Sequence, residues 1–338
     1  MAARCVARRN SLVDDAQTVT EAYLLSVGFV DEDLRKARSH YGRSFDPDVD
    51  TKVKPILKWL SQLGLAELQI RKAVAGFPIL LRLTLEDNLK PKVQWLKDLG
   101  MDDTQVVRAI SGLPQLLGLN IESNLKPKVQ WLEDLGMDDT QVVRAISGLP
   151  QLLGLNIESN LKPKVQWLED LGMDNSQVAR AISSLPQLFA LSIESNLTPK
   201  VQWLKDLGMD NSQVARAISS HPQLFAHNIE SNLKPKVQWL KDLGMNNSQV
   251  ARAISTLPQL FGYSLDNNCN PKLCMLRKRG FTDSQIVGVL SRFPQLLSYS
   301  SNRLTHRMGI LADHGRLTDT SLCNAVRLTD VKFAELFA

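Results

Sequence analysis

The sequence predicts an all-α fold, an α-solenoid superhelix of about eight to nine 36-residue units, each two longer helices plus a short third helix. Three observations carry this. The first is repetition. Residues 88–123 read NLKPKVQWLKDLGMDDTQVVRAISGLPQLLGLNIES, and residues 124–159 repeat them with one change, Lys97 to Glu133. Three more copies start at Asn160, Asn196 and Asn232, and looser ones at Lys52 and Asn268. The second is register. Proline recurs at 55, 91, 127, 163, 199, 235 and 271, and again at 78, 114, 150, 186, 222, 258 and 294. Glycine holds 64, 100, 136, 172, 208, 244 and 280. The third is apolar spacing of three and four residues, the period of a helix with one buried stripe.

Within a unit, the first helix is expected from Lys90 through Leu99. Pro91 sits in its first turn, where a missing amide proton costs nothing. Leu89, Val93, Leu96 and Leu99 form its stripe, with Trp95 beside it. Gly100 supplies the left-handed residue that stops it. The second helix starts at Asp102, which has capping-box spacing to Gln105, and buries Val106, Ala109, Ile110 and Leu113. Pro114 ends that helix by restricting the residue before it, and opens a short third helix that Gly118 closes. Residues 120–123 return the chain to the next unit.

The array has irregular ends. Residues 1–15 are either a short organellar targeting segment or a frayed basic start, with Arg4, Arg8 and Arg9 ahead of Asp14 and Asp15. Residues 16–51 form an N-terminal capping unit in register through Gly28, with a second helix capped by Asp31 and an acidic loop at 46–50. Seven 36-residue repeats fill 52–303, and residues 304–338 form a C-terminal capping unit.

Composition narrows the function classes. The chain is 43% apolar, enough for a buried spine, yet no run approaches the length of a membrane span. Cys5, Cys269, Cys274 and Cys323 have no repeating spacing, so neither a disulfide framework nor a zinc set is expected. No phosphate loop, dinucleotide fingerprint or metal-ligand motif occurs, so no enzyme, cofactor or metal is expected. The net charge of +5 permits a polyanionic partner. It is unevenly placed: residues 52–87 carry +3 and 268–303 carry +5, whereas 124–159 carry −2.

The unit KPKVQWLKDLGMDDTQVVRAISGLPQLLGLNIES resembles the repeat of the mitochondrial transcription termination factor family. That motif runs through a Leu-x-x-Leu-Gly helix, a second helix and a Leu/Phe-Pro-x-Leu-Leu step. The step appears here as Phe77-Pro-Ile-Leu-Leu81, Leu113-Pro-Gln-Leu-Leu117 and Phe293-Pro-Gln-Leu-Leu297. The closing residues 328–337 are also similar to the way members end, and the resemblance covers residues 20–338. It implies a curved superhelix with a basic groove, a nucleic-acid-binding regulator in a mitochondrion or chloroplast. The expected partner is double-stranded DNA, with an effect on transcription termination or initiation. The alternatives are an RNA-binding factor in splicing or ribosome assembly, and a non-enzymatic protein-binding scaffold. Organellar transcription or ribosome-assembly proteins are further expected partners, with no membrane and a monomeric state.

Phosphate binding needs cations on one side of such an array. The leading column lies in the second helix: Lys72, Arg108, Arg144, Arg180, Arg216 and Arg252, ending at Gly288. The competing reading is a salt bridge to the acid column Glu122, Glu158, Glu194 and Glu230. A second column, Lys92, Lys128, Lys164, Lys200, Lys236 and Lys272, stands at the start of the first helix, either aiding phosphate or solubilising the surface. A third changes sign through Lys97, Glu133, Glu169, Lys205, Lys241 and Arg277, and reads as outer surface. The strongest patch is Arg277, Lys278, Arg279 and Arg292, with Arg303. A lesser one gathers Lys52, Lys54, Lys58, Arg71, Lys72 and Arg82. The tryptophans at 59, 95, 131, 167, 203 and 239 offer base stacking or a core anchor, and their replacement by Met275 favours the anchor. His221 and His227 depart from sister units and are expected in a satisfied surface or inter-unit role.

Overall fold

The computed structural model describes residues 18–41 and 46–337. The arginine-rich start, with Cys5, lies outside the described residues, as do Gly42 and Ala338. The chain divides into two units, Met1–Glu133 with Asp138–Leu155, and Asp134–Met137 with Asn156–Ala338. Each is an all-α solenoid, and no strand occurs among the described residues.

In the first unit two leading helices, Val19–Ser26 and Asp31–Tyr41, precede the repeats. Asp31 is not the cap of the second. The carboxylate of Asp33 accepts from the Val30 amide at 3.1 Å instead. The repeats then follow one scheme. Residues 88–123 give a first helix Lys90–Asp98, a second helix Asp103–Gly112 and a 3-10 turn Pro114–Gly118. Asp102 accepts from the Gln105 amide at 2.8 Å, and the Gln105 side chain accepts from the Asp102 amide at 2.9 Å, so the capping box forms with aspartate in the leading place. Gly100 has φ +94°, and glycine holds positive φ at the same place from Gly28 to Gly280.

The return stretch is not a loop. Ile121–Leu125 forms one wide π-helical turn that runs straight into the next first helix, Lys126–Asp134. Its bonds reach five residues, from Leu125 N to Asn120 O at 3.1 Å. Proline explains the widening. Pro127 has no amide to give to the carbonyl four residues back, and its ring crowds that carbonyl, so the turn opens to relieve the clash. The Asn120 side chain caps the turn by accepting from the Ser123 amide at 2.9 Å.

The 3-10 turn supplies the deepest side chains. Leu116 and Leu117 are fully buried, as are Leu89, Leu96, Val106, Ala109 and Ile110. Met101 joins them, whereas Leu99 and Leu113 of the expected stripes are only half-buried. Gly118 does not close the turn by a left-handed conformation. A Cβ there would stand 2.6 Å from the Phe77 ring, so its role is close approach.

Neighbouring repeats lock through the same turn. Gln115 donates to the Gly76 carbonyl at 3.3 Å and Gln151 to that of Gly112 at 2.8 Å, each reaching the end of the preceding second helix. Second helices therefore pack side by side, Glu67–Gly76 on Asp103–Gly112 on Asp139–Gly148.

The second unit repeats the scheme through second helices Asn175–Ser184, Asn211–Ser220, Asn247–Thr256 and Asp283–Arg292. It ends in Ser301–Asp313, Asp319–Arg327 and Asp330–Phe337. Here Arg307 stands where the first proline column would continue. Its side chain is 1% exposed, donates to the carbonyls of Ala325 and Leu328 and to Asp330, and lies 4.7 Å from the Phe333 ring centroid. This latch holds the last helix. Replacing Arg307 with Met orphans those carbonyls, at about 1–3 kcal/mol. Amide exchange of Asp330–Phe337 should quicken first, while Val19–Gly154 keeps its protection because solenoid contacts are local.

Candidate nucleic-acid interface

The second-helix cations occupy the sixth residue of their helices: Lys72, Arg108 and Arg144 in the first unit, Arg180, Arg216 and Arg252 in the second. Helices packed in register carry that position side by side, so each unit presents a row of three. All six are exposed, and among the described residues none of the six side chains forms an ion pair or hydrogen bond. In the first unit Arg108 and Arg144 line one cleft of about 480 Å³, with Gln105, Asp139, Thr140 and Ser147 on its walls.

The acid column does not neutralise this row. Glu122 pairs with Lys126, Glu158 with Lys162 and Glu230 with Lys234, each at 2.6 Å and one helical turn apart. Glu86 pairs likewise with Lys90. Glu194 faces Thr198, which cannot pair, and accepts from the Ser192 hydroxyl at 3.1 Å. The free arginines and the paired glutamates thus belong to different elements of the repeat.

The Lys92 column corrects the sequence expectation. Lys92, Lys128, Lys200, Lys236 and Lys272 are buried, and Lys164 is half-buried. Lys164 donates to the Phe189 carbonyl and Lys236 to that of Phe261, both at 2.6 Å. Lys200 reaches the Phe225 carbonyl and Lys272 that of Leu297. Lys92 and Lys128 turn instead to the carbonyls of Asn88 and Asn124. In the second unit the ammonium therefore ties the first helix to the 3-10 turn of its own repeat. Burial lowers the pKa of all six lysines. An ammonium group enclosed by carbonyls does not meet a phosphate at the surface, so this column drops out of the interface.

The C-terminal patch divides. Arg277 pairs with Asp283 at 2.8 Å, and Arg292 pairs with Asp319. Arg303 lies 3.6 Å from Asp330. Lys278 and Arg279 are exposed. In the N-terminal patch, Lys54 pairs with Asp50 and Arg71 with Asp33. The tryptophans are half-buried anchors between repeats: Trp167 meets Phe225 edge-on at 5.9 Å, and Trp203 meets Phe261 at 6.1 Å. Trp239 donates to Asn270 at 2.8 Å.

His221 and His227 stack at 6.5 Å across the turn Pro222–Ala226, and the buried Nε2 of His221 has no hydrogen-bond partner. The expected satisfied role is thus corrected for His221. Its pKa is lowered by burial and then by His227, and that of His227 by burial and then by Lys236 and Lys200.

Sequence reasoning missed Gln105 and Asp139 as cleft walls. Gln105 was legible, because it lies three residues before Arg108 and shares its face. Asp139, the first residue of its helix, carried no such signal. Among the described residues no group of three or more His, Cys, Asp or Glu could hold a metal, and no helix is long and apolar enough to cross a membrane.

In comparisons with known proteins, the family model mTERF matches residues 57–318. No curated protein matches the chain.

Two outcomes follow from this geometry. Replacing Lys236 with Met removes the donor to Phe261 and should cost about 1–3 kcal/mol in chemical denaturation, with nucleic-acid affinity unchanged. The two histidines titrate below their ordinary value in the folded state, so the unfolded chain takes up protons first as pH falls. Stability is held above pH 6.5 and is lost as pH falls through the folded values. The substitution H221L, which restores the leucine of sister repeats, should flatten the fall in melting temperature between about pH 7 and about pH 5 relative to wild type.

Proposed function

Because the chain belongs to the mTERF family, nucleic-acid-binding regulators of organellar gene expression without catalytic activity, we propose that its second-helix cations grip double-stranded DNA and so influence transcription termination or initiation in a mitochondrion or chloroplast. One observation carries this reading: Lys72, Arg108, Arg144, Arg180, Arg216 and Arg252 are exposed and none is paired with a carboxylate among the described residues, while Glu122, Glu158 and Glu230 are bound to lysines. A guanidinium fork matches two phosphate oxygens at once, and exposed arginines at a fixed repeat suit a ligand whose charge also repeats. A scaffold that recognised protein side chains would not need the same cation in successive units.

The mechanism follows from stacking. Within each unit successive repeats are joined by glutamine-to-carbonyl bonds, and in the second by tryptophan contacts as well, so each row of three is presented on repeats bonded to one another. A support that does not reorganise on binding retains more of its contact energy as affinity. Held along the backbone, such a body obstructs or positions a polymerase.

The test is binding of the purified protein to duplex DNA, single-stranded DNA and structured RNA of equal length across a salt series. Duplex DNA should bind tightest, with affinity falling steeply as salt rises. Replacing Arg180, Arg216 and Arg252 with Gln should weaken binding to every sequence and lower the salt slope by about one per lost contact. A preference for RNA would move the reading to the splicing or ribosome-assembly class. Absence of binding to all three, even at low salt, would remove the nucleic-acid interface.

A further inference from the structure

The repeats are nearly uniform, yet they differ where the arginine row meets its neighbours. The cleft between Arg108 and Arg144 has two wall residues that change in the second unit. One is Asp139, the first residue of its helix. It is exposed and has no ion pair among the described residues, and Glu133 in the preceding helix adds a second exposed carboxylate. At the same position the second unit carries Asn175, Asn211 and Asn247, and returns to aspartate only at Asp283, which is paired with Arg277. The other is Val143, whose Cγ2 stands 3.9 Å from where a Cβ on Gly100 would be. At its position the second unit has Ala179, Ala215 and Ala251, and a Cβ on Gly172 or Gly208 would meet nothing within 4 Å. The helices that start at Asn175, Asn211 and Asn247 thus lose a carboxylate and two methyl groups each, while Asp283 and Val287 keep them.

A third difference follows from the first. Lys97 in the first unit is bound to Asp103 at 2.7 Å. Its counterparts Lys205 and Lys241 face Asn211 and Asn247, which carry no charge, and neither lysine forms an ion pair among the described residues. Residues 196–267 accordingly combine Arg216 and Arg252 with two further unneutralised lysines, and with asparagine and alanine where the first-unit cleft has Asp139 and Val143.

We propose that the interface is graded along the chain: residues 196–267 make the tight contact to a phosphodiester backbone, and Asp139 holds the Arg108–Arg144 cleft to weak contact. This rests on the function proposed above and adds to it which rungs carry the affinity. A carboxylate inside a cation cleft repels an incoming phosphate and attracts the arginines that would bind it. An asparagine amide does neither, and can donate to a phosphate oxygen. The effect is electrostatic and short-ranged, so it weakens as salt shortens the screening length.

The experiment compares paired variants on duplex DNA and on single-stranded RNA, both of arbitrary sequence, at low salt. R216Q with R252Q should lose more affinity than R108Q with R144Q. D139N should strengthen binding by about threefold, the size of a modest surface charge interaction. N211D with N247D should weaken it by about tenfold, the effect of two such charges. These aspartates restore the residue that sister helices already hold at that position, so folding is preserved. D266N, which removes an acid from the wide turn Leu265–Cys269 rather than from the cleft, is the control for net charge. If D139N acts no more strongly than D266N, or the two arginine pairs cost the same, the grading is overturned while the nucleic-acid reading stands. If wild type binds neither probe, both fall together.

Discussion

In the second unit, the interaction on which much of the rest depends is the bond from a lysine withdrawn from the surface to a backbone carbonyl 25 residues later. It crosses a repeat from the start of the first helix to the end of the 3-10 turn. Between its two ends lie the whole second helix and the turn glycine. Fixing the two ends holds the first helix against the 3-10 turn and so adds to the stability of the repeat. A carbonyl at the end of a short helix lacks an intrahelical donor and carries partial negative charge, so an ammonium group is well matched to it. The glutamine bonds and tryptophan contacts then transfer that geometry to the next repeat.

The chain sorts its cations by this rule. Lysine stands where the charge must be buried and directed at carbonyls, because its slender stem and compact head fit between helices. Lysine also stands beside most of the wide turns, where Lys90, Lys126, Lys162 and Lys234 each meet a glutamate one turn away. In the regular repeats Arg108, Arg144, Arg180, Arg216 and Arg252 take the exposed sixth position, where the planar fork has no partner among the described residues, whereas in the C-terminal unit Arg307 takes the buried, carbonyl-bound role. Three columns with the same formal charge therefore do three jobs, and total charge hides the division.

That division marks the limit of what the residues alone disclose. Period, caps and glycine stops were legible because they depend on neighbours within a few positions, as Asp102 with Gln105 and Gly100 with its φ of +94° show. The Arg108 column was legible as a candidate, and its freedom from Glu122 was not, since a periodic acid pairs equally well on paper with either of two periodic bases. The Lys92 column was misplaced because from Lys164 onward its partner lies 25 residues away, beyond the reach of helix periodicity, while Lys92 and Lys128 fold back on carbonyls four residues earlier. The wide turn at Ile121–Leu125 was hidden for a different reason: Pro127 was read as opening a helix, while the preceding residues already belonged to it. His221 was misread because one substitution in one repeat carries no pattern.

Uniform repeats impose a constraint on recognition. Reading bases requires different side chains at equivalent positions, and the second-helix face here offers Gln, Arg and Ser again and again. A backbone bound by identical rungs can shift by one rung with little loss inside the array. Position along a nucleic acid must then be set by whatever breaks the repetition. The breaks lie in the Asp-to-Asn change, in the exposed Lys278 and Arg279, and in the Lys58 region of the first repeat. Affinity and placement are in this way assigned to different residues. On the interface proposed above, the regular rungs supply a grip indifferent to sequence, and the irregular ones set where along a polymer that grip is strongest.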